Sequence, residues 1–364
     1  MNICSLKLRN FRNYDKTECI FHPDSICILE GKNAQGKTNL IESIYYLSHL
    51  RSFRTPSNSS LILENQDFFM IQAQIESHQR KEELKIVSMD HEKHLYRFND
   101  PIRRYSDFIG IVNAILFCPD DLMLFQQSPK IRRRFIDMEL IKISKRYTST
   151  LNHYQKLLKE RNVLLKKEKV DSILLETITE QMIQDQIIIL KQRVSFLDDL
   201  MNKTRAFYSY FTKEKEEVGA KYLTFVSMDD LESNLREAYK KSEMRDTLYK
   251  QTHVGIHKDD IDFHMNGISV KEVASQGQKR SLVLSMKLAL CQIIYEKQKE
   301  YPILLLDDVF SELDSNRCQK LISILPKKMQ IFITTTGNIE PSWLNDHKAY
   351  TIQVENGHLR EVKR

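Results

Sequence analysis

Gly31-Lys32-Asn33-Ala34-Gln35-Gly36-Lys37-Thr38 fits G-x-x-x-x-G-K-[ST], the pattern of a phosphate-binding loop. Its flanks suit the pattern. Ile26-Cys27-Ile28-Leu29 is a short apolar run that reads as a buried strand. Asn39 to Leu47 continues as a helix with Leu40, Ile44 and Leu47 on one face. A strand, a glycine loop and a helix N-terminus make an anion cradle, because backbone N–H groups close around phosphate oxygens and the helix dipole favours negative charge. Gly31, Lys32, Asn33, Ala34, Gln35, Gly36, Lys37, Thr38 and Asn39 are therefore the candidate nucleotide-binding residues. Lys37 is expected to reach the β- and γ-phosphates, and the Thr38 hydroxyl to ligate Mg2+. The competing reading is a chance match in a glycine-bearing turn. The chain holds nine glycines, and two of them stand in this loop at the required spacing. The motif says nucleotide; it leaves open which one and for what.

Two downstream segments carry further chemistry. Pro302-Ile303-Leu304-Leu305-Leu306-Asp307-Asp308 is an apolar run ending in two carboxylates, the look of a central parallel strand. Carboxylates at the carboxyl end of such a strand lie beside the loop helix in a P-loop fold. Asp307 is then expected to hold Mg2+, and Asp308 to orient or deprotonate the attacking water. A capping Asp pair before a turn is the bland alternative. Ala274-Ser275-Gln276-Gly277-Gln278 opens a long helix, and a Ser and a Gly at a helix start again present backbone donors to an anion.

The rest of the chain frames these pieces. Residues 3–9 and 17–21 read as strands, joined through the polar and aromatic turn Arg9-Asn10-Phe11-Arg12-Asn13-Tyr14. Arg51-Ser52-Phe53-Arg54-Thr55-Pro56 is a basic loop, either a solvated turn or a phosphate-backbone contact. Residues 68–100 alternate with period two, predicting antiparallel hairpins, and 111–118 form another apolar strand. From Ser128-Pro129, an N-cap and first-turn pair, the period becomes helical to about 212. Leu151, Tyr154, Leu158, Arg161 and Leu165 mark one face, and Leu175, Ile178, Met182 and Gln186 another. This predicts two long antiparallel helices hinged near 169–172, with more helix at 228–250. The charged stretch from Lys159 to Lys169 is either a solvated face or a nucleic-acid contact. Arg132, Arg133 and Arg134 fan around a helix, so some are expected to pair with acids such as Asp137 and Glu139. Residues 254–267 read as a strand ending in a turn. His257 beside Asp259 and Asp260 fits no standard ligand spacing, which favours a structural or phosphate-proximal role. After Ser311-Glu312-Leu313-Asp314 a helix runs to Leu325. Then come a buried strand at 329–336 and a hairpin at 349–363 around Asn356-Gly357.

Composition excludes some classes. The chain has 364 residues, 41% hydrophobic and 29% charged, as an ordinary globular chain does. No run approaches 18 apolar residues, so no membrane span is expected. Six scattered cysteines without a C-x-x-C pair read as a reduced, cytosolic pattern. A net charge of +6 permits a polyanionic partner without demanding one.

The phosphate loop, the strand ending Asp-Asp and Ser275-Gln276-Gly277-Gln278 together resemble the ABC-type ATPase head. In that family the loop of one subunit and the Ser-x-Gly-Gln motif of a second sandwich ATP. The resemblance thus implies Ser275 as a catalytic residue supplied in trans and Gln278 as a nucleotide contact. A helical insertion before Ser275 is similar to the SMC-like branch, although it is far too short for a long SMC coiled coil. Closer still, the chain resembles the RecF family of bacterial recombination mediators over nearly its whole length. That likeness rests on Leu8-Arg9-Asn10-Phe11-Arg12-Asn13-Tyr14, the phosphate loop through Asn39, and Arg51-Ser52-Phe53-Arg54-Thr55. It rests also on Ser128-Pro129-Lys130-Ile131-Arg132-Arg133-Arg134-Phe135-Ile136-Asp137 and Leu306-Asp307-Asp308-Val309-Phe310-Ser311-Glu312-Leu313-Asp314. The arginine cluster and the Asp-Asp-Val-Phe-Ser-Glu-Leu-Asp run are specific to this family. The family's usual Gly-Pro-His-Arg-Asp-Asp is here Gly255-Ile256-His257-Lys258-Asp259-Asp260. Lysine forms no bidentate fork, which leaves the role of Lys258 open. Thr334, Thr335 and Thr336 fall where many ABC heads place a switch histidine. No glutamine-loop residue is identifiable; Asp120-Asp121 lie in that region.

The resemblance implies an α/β, ABC-type P-loop ATPase head with a mixed sheet and an antiparallel β-lobe. Residues 1–130 and 251–364 are expected to form the head, and 131–250 an inserted helical arm. It implies ATP and Mg2+ as cofactors, and a homodimer closed around two nucleotides. It implies sequence-independent association with DNA at single-strand gaps and duplex junctions while ATP is bound. Weak, DNA-stimulated hydrolysis would act as the release switch. RecR is the implied partner, RecA loading the outcome, support of SOS induction a further role, and the cytoplasm the location. Three alternatives compete. A transporter ATPase subunit usually lacks a helical arm of this length. A P-loop kinase or GTPase does not need Ser275-Gln276-Gly277-Gln278, and no Asn-Lys-x-Asp motif is present. A structural SMC-class ATP clamp would hydrolyse ATP only incidentally, and binding to gapped DNA separates it from the mediator.

Overall fold

The computed structural model describes residues 1–90, 92–212, 216–337, 339–344 and 346–362. The chain forms two compact units, residues 1–121 with 283–364, and residues 122–282.

The first unit begins with β1 (Asn2–Phe11), β2 (Tyr14–Ile20) and β3 (Ile26–Glu30), then α1 (Lys37–His49). The hairpins expected from period-two alternation follow as β4 (Phe68–Ser77), β5 (Arg80–Met89), β6 (Glu92–Arg97) and β7 (Asp100–Ile102), and then comes β8 (Ala114–Phe117). The second unit contains α2 (Pro129–Ile143), α3 (Lys145–Leu165) and α4 (Ser172–Phe211), then β9 (Val218–Leu223) and α5 (Leu231–Tyr249). It continues with β10 (Asp260–Met265), β11 (Ile268–Ser269) and the start of α6 (Gln276–Gln298). Back in the first unit are β12 (Ile303–Leu306), α7 (Ser315–Ile324), β13 (Ile331–Thr335), β14 (Ala349–Glu355) and β15 (His358–Val362). Residue 363 of the expected terminal hairpin and residues 213–215 of the expected arm lie outside the described residues.

The first unit carries two six-stranded sheets. One is antiparallel, in the order β2-β1-β4-β5-β6-β7. The other is mixed, β15-β14-β3-β13-β12-β8, parallel except for β15. β12 is buried throughout and β3 and β13 nearly so, as a parallel strand covered on both faces must be. The sequence gives α1 one apolar face, yet the structure also buries Ile41, Glu42, Ser43, Tyr46 and Ser48. The reason is its place in the core. Side chains of both sheets join one apolar cluster around Leu40, Ile41, Ile44, Tyr46 and Leu47. A helix enclosed in this way is buried nearly all round.

In the second unit α3 and α4 form the expected pair, on either side of a turn at 166–171. Ser128 takes the extended N-cap conformation ahead of Pro129, without a side-chain capping bond. A strand the sequence reading missed, β9, pairs antiparallel with β10, and β11 completes a three-stranded sheet. That pairing is why residues 251–282 fall in this unit, whereas the expected boundary placed them with the head. Arg132 of the arginine cluster pairs with an acid, as expected of some of the three, but one outside its own helix. Arg132 forks onto Asp260 at 2.6 and 2.9 Å, and Arg133 donates to the Asp259 carbonyl. Asp137 is forked by Arg193 of α4 at 2.9 and 3.0 Å, and Glu139 is bridged by Lys142 one turn on. His257 is bonded to the Tyr154 hydroxyl at 2.8 Å, and burial lowers its pKa to about 4. The Gly255–Asp260 segment is thus tied into its own unit by these contacts.

Arg161 is fully buried on α3. It donates to Asp246 at 2.7 Å, to Thr252 at 2.8 Å and to Thr179 at 3.0 Å, and lies 5.3 Å from the Tyr239 ring centre. Removing one partner of a buried pair leaves the other charge uncompensated, at a cost of about 3–5 kcal/mol. Arg161→Met is therefore expected to lower the unfolding free energy of this unit by that amount. Lys159→Met, at an exposed position on the same helix, should change it by less than about 0.5 kcal/mol. Chemical denaturation followed by circular dichroism makes the comparison.

Candidate functional site

The phosphate loop leaves β3 and ends at the N-terminus of α1, where Gly36 is the N-cap at φ 118°. Only glycine adopts that conformation freely. A Cβ there would meet the Asn13 and Tyr14 side chains at 2.8–3.0 Å, and a Cβ on Gly31 would sit 2.3 Å from the Val354 carbonyl oxygen. The loop is braced from outside. The Tyr14 hydroxyl donates to the Gly36 carbonyl at 3.0 Å, and the Asn13 amide to the Gln35 carbonyl at 3.0 Å. Asn39 donates to Asn13 at 2.8 Å and accepts from Arg54 at 2.9 Å. From the terminal hairpin, the Asn356 N–H donates to the Gln35 side chain and the Gly357 N–H to its carbonyl. The side chains of Gln35 and Asn39 are thus spent on holding the loop, while Lys32, Asn33 and Ala34 form its exposed crest.

Glu42 explains the basic loop at 51–56. It is wholly buried on α1 and receives a fork from Arg12 at 2.8 and 2.9 Å, the Ser52 hydroxyl, and Arg54 at 3.7 Å. Ser52 in turn accepts the N–H groups of Arg54 and Thr55. The segment is a folded brace that fixes Arg54 beside the phosphate-loop helix, a role neither sequence reading foresaw.

Lys37 donates to the Gly31 carbonyl at 2.6 Å and the Lys32 carbonyl at 2.8 Å. Burial lowers its pKa, while the carboxylates of Asp308 and Asp307 oppose that shift. The Asp-Asp pair follows β12 directly, and β13 separates β12 from β3 in the sheet. Across that gap the Thr38 hydroxyl donates to Asp307 Oδ1 at 2.9 Å. Burial raises the Asp307 pKa, and its bonds to Thr334 and Thr38 work against the rise. Asp308 is exposed, with a left-handed backbone at φ 55°. The strand order thereby brings Lys37, Thr38, Asp307 and Asp308 to one sheet edge. Thr334 on β13, which the sequence placed only at the switch-histidine position, bonds to both carboxylate residues. Its hydroxyl donates to Asp307 Oδ1 at 2.9 Å and accepts the Asp308 N–H at 2.8 Å. Its signals in the sequence are a polar residue at the end of an apolar strand and its place at the switch-histidine position.

This donor set suits Mg2+. Two hydroxyls share Oδ1 of Asp307, and no donor among the described residues reaches its Oδ2. No group of three or more His, Cys, Asp or Glu among the described residues could hold a metal ion by itself. A magnesium ion bound through one carboxylate, a hydroxyl and substrate phosphates needs no such group.

Beside Asp308 opens a cavity of about 260 Å3, lined in part by Phe310, Ser311, Thr335, Thr336 and Trp343. The Phe310 and Trp343 rings stack with centres 6.4 Å apart, and Trp343 is the chain's sole tryptophan. Ser275 and Gln278 lie in the second unit. There they form a reciprocal capping box. The Ser275 N–H donates to Gln278 Oε1 at 2.7 Å, and the Gln278 N–H to Ser275 Oγ at 3.2 Å. Gln278 also donates to Glu216. Its side chain is therefore engaged within the unit, and the Ser275 hydroxyl donates to no acceptor among the described residues.

Comparison with known proteins yields three kinds of match. The model of the "RecF/RecN/SMC N terminal domain" family matches residues 2–357. The chain is 36% identical to "DNA replication and repair protein RecF" of Shouchella clausii, covering 100% of both chains. To the protein of the same description from Oceanobacillus iheyensis it is 39% identical, covering 93% and 94%. A solved structure of "the recombination mediator protein RecF-ATP in RecFOR pathway" superposes with a TM-score of 0.91 at 29% identity, covering 99% of this chain and 97% of that one. The Smc head domain of Pyrococcus furiosus superposes at 0.58 with 14% identity, covering 99% and 95%, and shares the fold.

Proposed function

The chain belongs to the RecF family, within the wider RecF/RecN/SMC N-terminal domain family, and from that premise we propose that it is an ATP-driven DNA-binding switch of replication and repair. In this reading ATP binding closes a homodimer on DNA at single-strand gaps and duplex junctions. Slow hydrolysis releases it, and the bound state cooperates with RecR to load RecA, with SOS induction as a downstream effect. The cytoplasm is the proposed location; no described helix is long and apolar enough to cross a membrane. The observation that carries the reading is the shared sheet edge. The phosphate-loop lysine, the Thr38–Asp307 pair and the exposed Asp308 converge there.

Each residue has a task. Lys37 exchanges its two loop carbonyls for phosphate oxygens. Thr38 and Asp307 would hold the magnesium ion, which would neutralise charge developing on the phosphates. Asp308, whose carboxylate is exposed, accepts the proton of the attacking water. Ser275, its Oγ lone pair capping α6 and its proton free, donates to the terminal phosphate of a nucleotide bound by a second copy. Because the terminal phosphate then joins two copies, its loss dissolves the dimer.

Fluorescence anisotropy on a gapped duplex tests the DNA step. Binding should be at least 10-fold tighter with a non-hydrolysable ATP analogue than with ADP. It should also weaken by about 10²- to 10³-fold between 50 and 200 mM salt, as expected of roughly five phosphate contacts. Equal affinity under both nucleotides would remove the switch from this proposal.

A further inference from the structure

Thr334 is almost wholly buried at the end of β13, the strand between the phosphate-loop strand and the strand that carries the carboxylates. A hydroxyl has one proton to give. Thr334 gives it to Asp307 Oδ1 at 2.9 Å, and with a lone pair it takes the Asp308 N–H at 2.8 Å. The two adjacent carboxylate residues are thus clamped by one atom, the first through its side chain and the second through its backbone. Asp308 has a left-handed backbone, φ 55° and ψ 26°, a region non-glycine residues seldom occupy, and the bond to Thr334 helps to hold it there. Strained backbone persists where surrounding contacts over-determine it. Asp307 Oδ1 also receives Thr38, so the hydroxyls of β13 and α1 meet on one oxygen and leave the other facing away from both donors.

We infer that Thr334 is a positioning residue for ATP hydrolysis, setting the mutual orientation of Asp307 and Asp308 by bonding to both. The inference rests on the hydrolytic reading of Asp308 above. The bland alternative is a core threonine satisfied by two local bonds. The two differ in what they predict. A core threonine affects folding and nucleotide binding alike. A positioning residue affects the chemical step, because a displacement of about 1 Å in a reacting group costs on the order of 10²-fold in rate.

The test compares Thr334→Val, Thr334→Ser and Thr334→Cys with the unsubstituted chain and with Asp308→Asn. Hydrolysis is measured by phosphate release, ATP affinity by equilibrium dialysis with Mg2+, and folding by thermal midpoint. Thr334→Val keeps the shape and removes both bonds. It should lower kcat by roughly 30- to 100-fold with the ATP Kd within about 3-fold. Thr334→Ser should return kcat to within about 3-fold, and Thr334→Cys, a weak donor and acceptor, should fall between. If Thr334→Val fails to fold, the Ser and Cys pair still decides, since equal kcat in those two overturns the inference. An unchanged kcat in Thr334→Val overturns it as well. So does a joint fall in kcat, affinity and thermal midpoint that serine does not restore. If Asp308→Asn loses turnover while Thr334→Val keeps the parent kcat, the Thr334 inference alone fails. If Asp308→Asn hydrolyses ATP normally, the hydrolytic reading fails with it.

Discussion

Asp308→Asn should run as a dimer by light scattering in Mg-ATP and as a monomer in Mg-ADP, with turnover reduced by about 10³-fold, the middle of the usual range for loss of a general base. Asparagine keeps the shape of the side chain and the backbone N–H bond to the Thr334 hydroxyl, so the sheet edge is retained. What is lost is the capacity to take a proton. ATP then persists, and the dimer with it. Adding Ser275→Arg should return the protein to monomer in Mg-ATP, because a long cation at the N-cap of α6 breaks the capping box and blocks the approach of a second nucleotide. A monomer under both nucleotides would remove the dimer from the mechanism. It would leave an ATP-binding protein whose Ser-Gln-Gly-Gln segment only caps a helix.

Lys37→Met should weaken ATP binding by roughly 10²- to 10³-fold while circular dichroism is unchanged. The ammonium is the one side chain of the loop that bonds two of its carbonyls, Gly31 and Lys32. Hydrogen bonds involving a charged group are worth about 1.5–3 kcal/mol each, and 1.4 kcal/mol is tenfold in affinity, so two such bonds account for the loss. Methionine matches the stem and keeps the packing. Lys37→Arg should fall between, since a planar guanidinium cannot take the place of a compact ammonium over the loop. Fluorescent-nucleotide titration gives all three affinities. An affinity for Lys37→Met within 3-fold of the parent would place the nucleotide elsewhere.

The phosphate loop and the strand ending at Asp307-Asp308 were legible because each is a short-range pattern. A run of apolar residues and a few residues of fixed type specify both. What lay beyond reading was set by register and by long-range pairing. β9 is six residues interrupted by Gly219 and Lys221, and its partner β10 lies 37 residues on, from Leu223 to Asp260. Without that pairing the segment from 251 to 282 has no reason to leave the head. Glu42 reads as one more polar position of an amphipathic helix. Only enclosure of α1 by both sheets makes it a buried charge that gathers Arg12, Ser52 and Arg54. Some of the arginines at 132–134 were expected to pair with acids such as Asp137 and Glu139, but Arg132 meets its acid at the start of a distant strand, Asp260. Thr334 shows the same limit. Its alignment with Asp307 depends on the pairing of Leu306 with Ile333, which no spacing along the chain encodes.

Trp343 lies against Phe310, two residues beyond Asp308, and the chain has no other tryptophan. Its indole therefore reports on one place. Whatever rearranges the residues after β12 when the terminal phosphate arrives or leaves changes the surroundings of a single chromophore. The emission of the unlabelled protein should in consequence time the proposed cycle, readable in a stopped-flow instrument without a dye, a tag or a second substitution.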